Sequence, residues 1–170
     1  MELDELIDEL ESARDQQLIE MVLSEDWNSV ILHKDKFNQK IFDFFVDSQT
    51  SYDTLSYLIR FVPIYGTYRN IAKAIRNVGV TGRGDYDTML FINTIRDNVD
   101  IQDQNGLALF MSLNPSPYYV MLLITNVPSY RTEQVFSIFM SLNPSGNVLE
   151  LALQISKEFR ELYEEKYGTR

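Results

Sequence analysis

Apolar residues along this chain recur at intervals of three and four, which predicts helices rather than strands. Leu3, Leu6, Ile7, Leu10, Leu18, Met21 and Val22 mark a first helix, and the positions between them are mostly acidic. That spacing predicts one buried stripe and one solvated face. Ser24 offers an N-cap ahead of Trp27, and an aromatic stretch carries on through Val30, Ile31, Phe37, Ile41, Phe42, Phe44 and Phe45. Trp27 opens this apolar series and is expected to pack its ring on the first helix. A third helix, starting at Ser51 or Asp53, is limited by Pro63, which has no N–H to donate. A fourth carries Ile64, Tyr68, Ile71, Ile75 and Val78 on one face. The glycine-rich run 79–84 breaks the chain, and a fifth helix is predicted from about Tyr86 to Arg96.

Beyond a polar stretch at 97–105, one heptapeptide appears twice. Phe110-Met111-Ser112-Leu113-Asn114-Pro115-Ser116 recurs as Phe139-Met140-Ser141-Leu142-Asn143-Pro144-Ser145. Asn tolerates the left-handed position that ends a helix, Pro stops the helix, and Ser caps the next one. No stretch alternates as a strand would. The fold predicted is all-α: about eight helices in a compact bundle, with two helix–turn–helix hairpins in the C-terminal half. An N-terminal helical region, 1–96, and C-terminal hairpins, 97–170, are expected to share one core, a single domain being the alternative.

The chain has 170 residues with 45% apolar content, enough for a core, and a formal charge of −10. Cysteine is absent, which removes disulfides, thiol nucleophiles and thiolate metal sites. The acidic start and the shortness of the apolar runs predict a cytoplasmic protein with no membrane segment. His33 is the single histidine and has no companion ligands at metal-binding spacing, so it is read as solvated surface. Aligning Gly106 with the invariant glycine of a calcium loop puts Ile101 and Ser112 where carboxylates belong, so 97–105 is read as a solvated loop. Gly79, Gly82 and Gly84 do not spell a phosphate loop, and Arg83-Gly84-Asp85 is a chance tripeptide. No catalytic constellation, cofactor site or metal site is predicted, and the chain is expected not to be an enzyme.

Charge is unevenly distributed. Residues 1–26 hold ten acids and one base, while 54–84 hold Arg60, Arg69, Lys73, Arg76 and Arg83 and no acid. On one helix, Arg69, Lys73 and Arg76 fall within a sector of about 60°. These five are the candidate contact residues for a phosphate backbone or an acidic partner. The alternative is that the stripe pairs with the acidic N-terminal helix.

Ser24-Glu25-Asp26-Trp27-Asn28-Ser29-Val30, then Asp35-Lys36-Phe37, Lys40 and Phe44-Phe45, resembles the start of the sliding-clamp-loader small subunit of T4-type bacteriophages. Tyr86 to Arg96 is similar to the helix that follows a glycine-containing loop in that family. The resemblance spans residues 24–96. A basic, aromatic stretch comes next in the family, whereas Asp97-Asn98-Val99-Asp100 here is acidic. The resemblance implies a non-catalytic subunit that completes a ring with ATPase subunits (of the AAA+ class) and touches a sliding clamp and DNA. The other reading is a small all-helical adaptor that binds a partner protein through its helical surface.

Overall fold

In a computed structural model the chain is all-helical across the described residues, 2–77 and 85–168. The expectations for Val78 and Arg83, for the glycine-rich run and for the Arg-Gly-Asp tripeptide lie outside the described residues, apart from Asp85. Among the described residues there are eleven α-helices, four short 3-10 turns and no strand. The excess over the predicted eight comes from short helices that periodicity alone merges.

The chain forms two compact units, Met1–Gly82 and Arg83–Arg170. The first unit contains α1 (Leu3–Leu23), α2 (Trp27–Leu32), α3 (Gln39–Asp47), α4 (Tyr52–Phe61) and α5 (Tyr68–Arg76). The second contains α6 (Asp85–Asp97), α7 (Gln104–Ser112), α8 (Pro117–Asn126), α9 (Glu133–Ser141), α10 (Gly146–Ile155) and α11 (Lys157–Tyr167). The divide falls ahead of α6, which packs on α7 and α8.

Local chemistry sets the helix boundaries. Asn38, Thr67, Asp103 and Thr132 each accept a hydrogen bond from the backbone N–H three residues on. These are N-caps that satisfy otherwise orphaned donors. Asn114 and Asn143 stand at φ 51° and 54°, between the end of one helix and the start of the next. Gln49, between α3 and α4, takes the same conformation at φ 55°.

These boundaries reveal a second periodicity. Asn38 through Arg76 and Asp103 through Ser141 carry the same succession of cap, helix, left-handed residue, helix, 3-10 turn, cap and helix. The register is constant: Asn38 answers to Asp103, Gln49 to Asn114, Pro63 to Pro128 and Thr67 to Thr132. The interval from the Asn38 cap to the Thr67 cap therefore equals that from Asp103 to Thr132, and it is also the interval between the two heptapeptides. Burial follows the same register. Phe45, Leu58, Ile59, Val62 and Tyr65 are buried in the first stretch, and Phe110, Leu123, Ile124, Val127 and Tyr130 in the second.

One hydrogen bond is repeated with the elements. Tyr65, in the 3-10 turn Pro63–Tyr65, donates its hydroxyl to the Asn38 carbonyl at 2.6 Å. Tyr130, in the turn Pro128–Tyr130, donates to the Asp103 carbonyl at 2.8 Å. Each tyrosine thus ties the end of a repeat to the cap that opens it. The first helical residue of each stretch also reaches the helix beyond the second cap, at partners one register position apart: Gln39 donates to Asn70 at 2.7 Å and Gln104 to Gln134 at 2.7 Å. The stretch 97–105 is therefore not a plain solvated loop. It contains a 3-10 turn at Val99–Ile101, the buried Ile101 and the Asp103 cap.

Burial pushes the ionisation of both tyrosines upward, that of Tyr130 to about 12, and the Asp103 charge adds to the effect there. A phenol in the unfolded chain titrates near 10. Between these values the unfolded state sheds the proton first, so stability is full below pH ~10 and falls as pH rises toward ~12. Tyr130→Phe should cost about 1 kcal/mol at neutral pH, the worth of one hydrogen bond. It should also make the alkaline loss shallower. Urea melts from pH 8 to 12 check this, and an identical alkaline profile for the variant counts against it.

The expectation for the first helix is corrected. Only Leu18 and Val22 of α1 are buried, while Leu3, Leu6, Ile7 and Leu10 are exposed. Periodicity identifies an apolar face but not what covers it. The Trp27 ring lies 5.3 Å from Tyr57 and 5.8 Å from Phe61, so its aromatic neighbours belong to α4.

Candidate functional site

The predicted cationic helix is α5. The Thr67 hydroxyl caps it by accepting from the Asn70 N–H. Ile71, Ala74 and Ile75 bury its apolar face, together with Asn70, whose amide pairs reciprocally with that of Gln39 on α3. This packing turns Arg69 and Arg76 outward, and both are exposed. Tyr68, Arg69, Ala72, Lys73 and Arg76 together line a shallow depression.

The face is not uniformly free. The Lys73 ammonium lies 2.7 Å from the Asp43 carboxylate of α3. Lys73 holds the Asp43 carboxyl below its usual range, mainly through that hydrogen bond. Gln39 contributes another hydrogen bond, and the nearby charge of Arg69 a weaker effect. The acid that Lys73 meets therefore belongs to α3, and not to the acidic N-terminal helix that the sequence offers. Arg69 and Arg76 have no ion-pair partner among the described residues.

The five candidate residues do not form one cluster. Arg69, Lys73 and Arg76 come together on α5. Arg60 sits at the end of α4, its guanidinium carbon 5.6 Å from the centre of the Phe61 ring, and is not among the residues lining the depression. Arg83 lies outside the described residues.

Tyr68 is the residue lining the depression that periodicity misplaces. The pattern assigns it to the apolar face, yet it is 42% exposed and lines the depression beside the arginines. At about 100° per residue it lies at the edge of the apolar sector nearest Arg76, where an amphipathic ring keeps one side in water. Ile64 is also exposed, because the 3-10 turn at Pro63–Tyr65 takes it out of helical register with α5.

Chemically, the depression offers two guanidiniums with planar donor forks and no ion pair among the described residues, one ammonium paired with Asp43 and a phenol ring. Such a set binds anionic oxygens and stacks on a flat group. His33 is half-buried, with Nδ1 2.8 Å from the Ser29 carbonyl, a local contact that closes α2. Among the described residues there is no group of three or more metal-ligating side chains, and no helix is long and apolar enough to cross a membrane. Compared with known protein families, curated proteins and solved structures, the chain finds no match.

Proposed function

We propose that this chain is a non-catalytic helical subunit of a DNA-handling assembly, of the kind formed by phage-type replication clamp loaders. In that role it completes a ring with ATPase subunits, meets a sliding clamp and touches the DNA backbone. The observation that carries the reading is the exposed Tyr68, Arg69 and Arg76 face of α5, whose two arginines form no ion pair among the described residues. The resemblance over residues 24–96 supplies the identity of the assembly.

The test uses the double variant Arg69→Ala/Arg76→Ala and leaves Lys73 in place, since Lys73 serves its own fold through Asp43. Exposed charges away from special features usually cost under ~0.5 kcal/mol each, so the urea midpoint should hardly move. Binding to a primer–template duplex should weaken whatever its sequence, because phosphate contacts carry no base information. The plot of log affinity against log salt should flatten by nearly two, about one for each guanidinium–phosphate pairing. An unchanged slope removes the DNA role from α5. Co-purification from the native host then decides the assembly, where an ATPase subunit together with a ring-shaped clamp supports the clamp-loader reading.

A second reading, a helical adaptor for a protein partner, is favoured by the aromatic cluster of Trp27, Tyr57 and Phe61 beneath the exposed Arg60. Trp, Tyr and Arg are the residues most enriched at the energetic centres of protein interfaces. Recovery of a single protein unrelated to DNA metabolism favours this reading.

A further inference from the structure

The first three turns of α1 bury no side chain in the described chain. Every residue from Glu2 to Arg14 is exposed, and burial begins at Leu18. Yet this segment is strongly patterned. Leu3, Leu6, Ile7 and Leu10 occupy i, i+3, i+4 and i+7, a stripe about 100° wide on an ideal helix. Leu3 and Leu10 are 71% and 63% exposed, and Leu6 and Ile7 are 45% and 43% exposed. Asp4 and Glu11 flank the stripe on one side and Glu9 on the other, with Glu5 and Asp8 behind. Between Glu2 and Glu11 there are six acids and no base.

We infer that the N-terminal half of α1 is a docking helix whose Leu3, Leu6, Ile7 and Leu10 stripe enters an apolar groove rimmed by Lys or Arg on a partner protein. Charge complementarity selects this occupant. A second copy would bring two acid-flanked stripes together, and like charges oppose that pairing. An anionic lipid surface repels the same flanks, since membrane-surface helices carry Lys and Arg on the polar face. A groove with a basic rim accepts both features, in the known manner of a helix laid by its i, i+3, i+4 and i+7 anchors. The α5 residues play no part in this docking, and its test contains no DNA, so the two proposals stand or fall separately.

The probe is a synthetic helical peptide with one leucine face and lysine flanks, titrated into the full chain by calorimetry. The variant is Leu6→Gln/Ile7→Gln, which keeps every charge and leaves Leu18 and Val22 in place. Circular dichroism confirms that its helix content is unchanged. The expected result is stoichiometric binding that weakens with salt and falls at least roughly tenfold in the variant. Equal binding by the variant shows that charge alone attracts the peptide, and overturns the inference. So does equal binding of a matched peptide with glutamate flanks. Partition onto pure phosphatidylcholine vesicles, lost in the variant, would replace the protein groove with a lipid surface. Concentration-dependent dimerisation in sedimentation, lost in the variant, would replace it with a second copy.

Discussion

Phe159→Ala should cost about 3–5 kcal/mol, the range for deleting a large aromatic from a core. Phe159 is fully buried and is the one buried residue of α11 among the described residues. Its ring lies 5.3 Å from Phe136 in an edge-on arrangement and 5.9 Å from Phe139, both on α9. The rest of α11 is mostly polar, with Leu162 and Tyr163 half-buried, so Phe159 is its one fully buried anchor among the described residues. Loss of this ring should therefore undock the helix as well as open a cavity. Hydrogen exchange should show residues 157–167 unprotected in the variant, while Tyr65 and its neighbours in the other unit keep their protection. A urea melt displaced by less than ~1 kcal/mol would mean that α11 is held by something else.

The second large effect has a sign opposite to that expected from helix propensity. Gly106 lies inside α7, where alanine is ordinarily better by about 1 kcal/mol. Here a Cβ would overlap the Ile101 carbonyl oxygen and lie 2.9 Å from the Tyr130 hydroxyl. Both belong to the contact that ties the repeat, since Tyr130 also donates to Ile101 at 3.2 Å. Gly106→Ala must shift backbone rather than a flexible side chain, and it disturbs a buried hydrogen bond as well. A net loss of about 2–3 kcal/mol is expected, from overpacking plus the strained bond. Gly146, the first residue of α10, is the control. A Cβ there meets nothing within 4 Å, so Gly146→Ala should stabilise by about 0.4–1 kcal/mol. If both alanines stabilise, the close approach at Gly106 is not a feature of the protein.

The helical class is legible because apolar spacing and the two Asn-Pro-Ser turns are local signals. The left-handed positions read at Asn114 and Asn143 are realised in their positive φ angles, and Ser145 caps the helix that follows, whereas Ser116 makes no side-chain cap bond. The third turn of this type, at Gln49, is invisible to such reading because Gln lacks the short side chain that makes Asn a recognised left-handed residue. The correspondence between the two longer stretches leaves a trace in Val62-Pro63-Ile64-Tyr65-Gly66-Thr67 and Val127-Pro128-Ser129-Tyr130-Arg131-Thr132. It is hard to see because its identities are interleaved with unlike residues, whereas the repeated heptapeptide is contiguous. At the candidate site the sequence places Arg69, Lys73 and Arg76 on one face. It is silent on Asp43, which reaches Lys73 from another helix across 30 positions of chain. Such a pairing depends on how helices cross, and no single-helix pattern contains that information.

The tyrosine ties also bear on how such a chain grows. Each links positions 27 apart in sequence, Asn38 with Tyr65 and Asp103 with Tyr130. Loops of that size cost little more entropy to close than shorter ones, and every contact they gather is near in sequence. Chains with such low contact order fold quickly, because little non-local order must be assembled before it is rewarded. A segment from one cap to the next is thus self-contained in its turns, its lock and its share of core. Ancestral lengthening or shortening of this gene is then expected in steps of one such segment. Insertions of other lengths inside a segment would break the register between a tyrosine and the carbonyl it must reach.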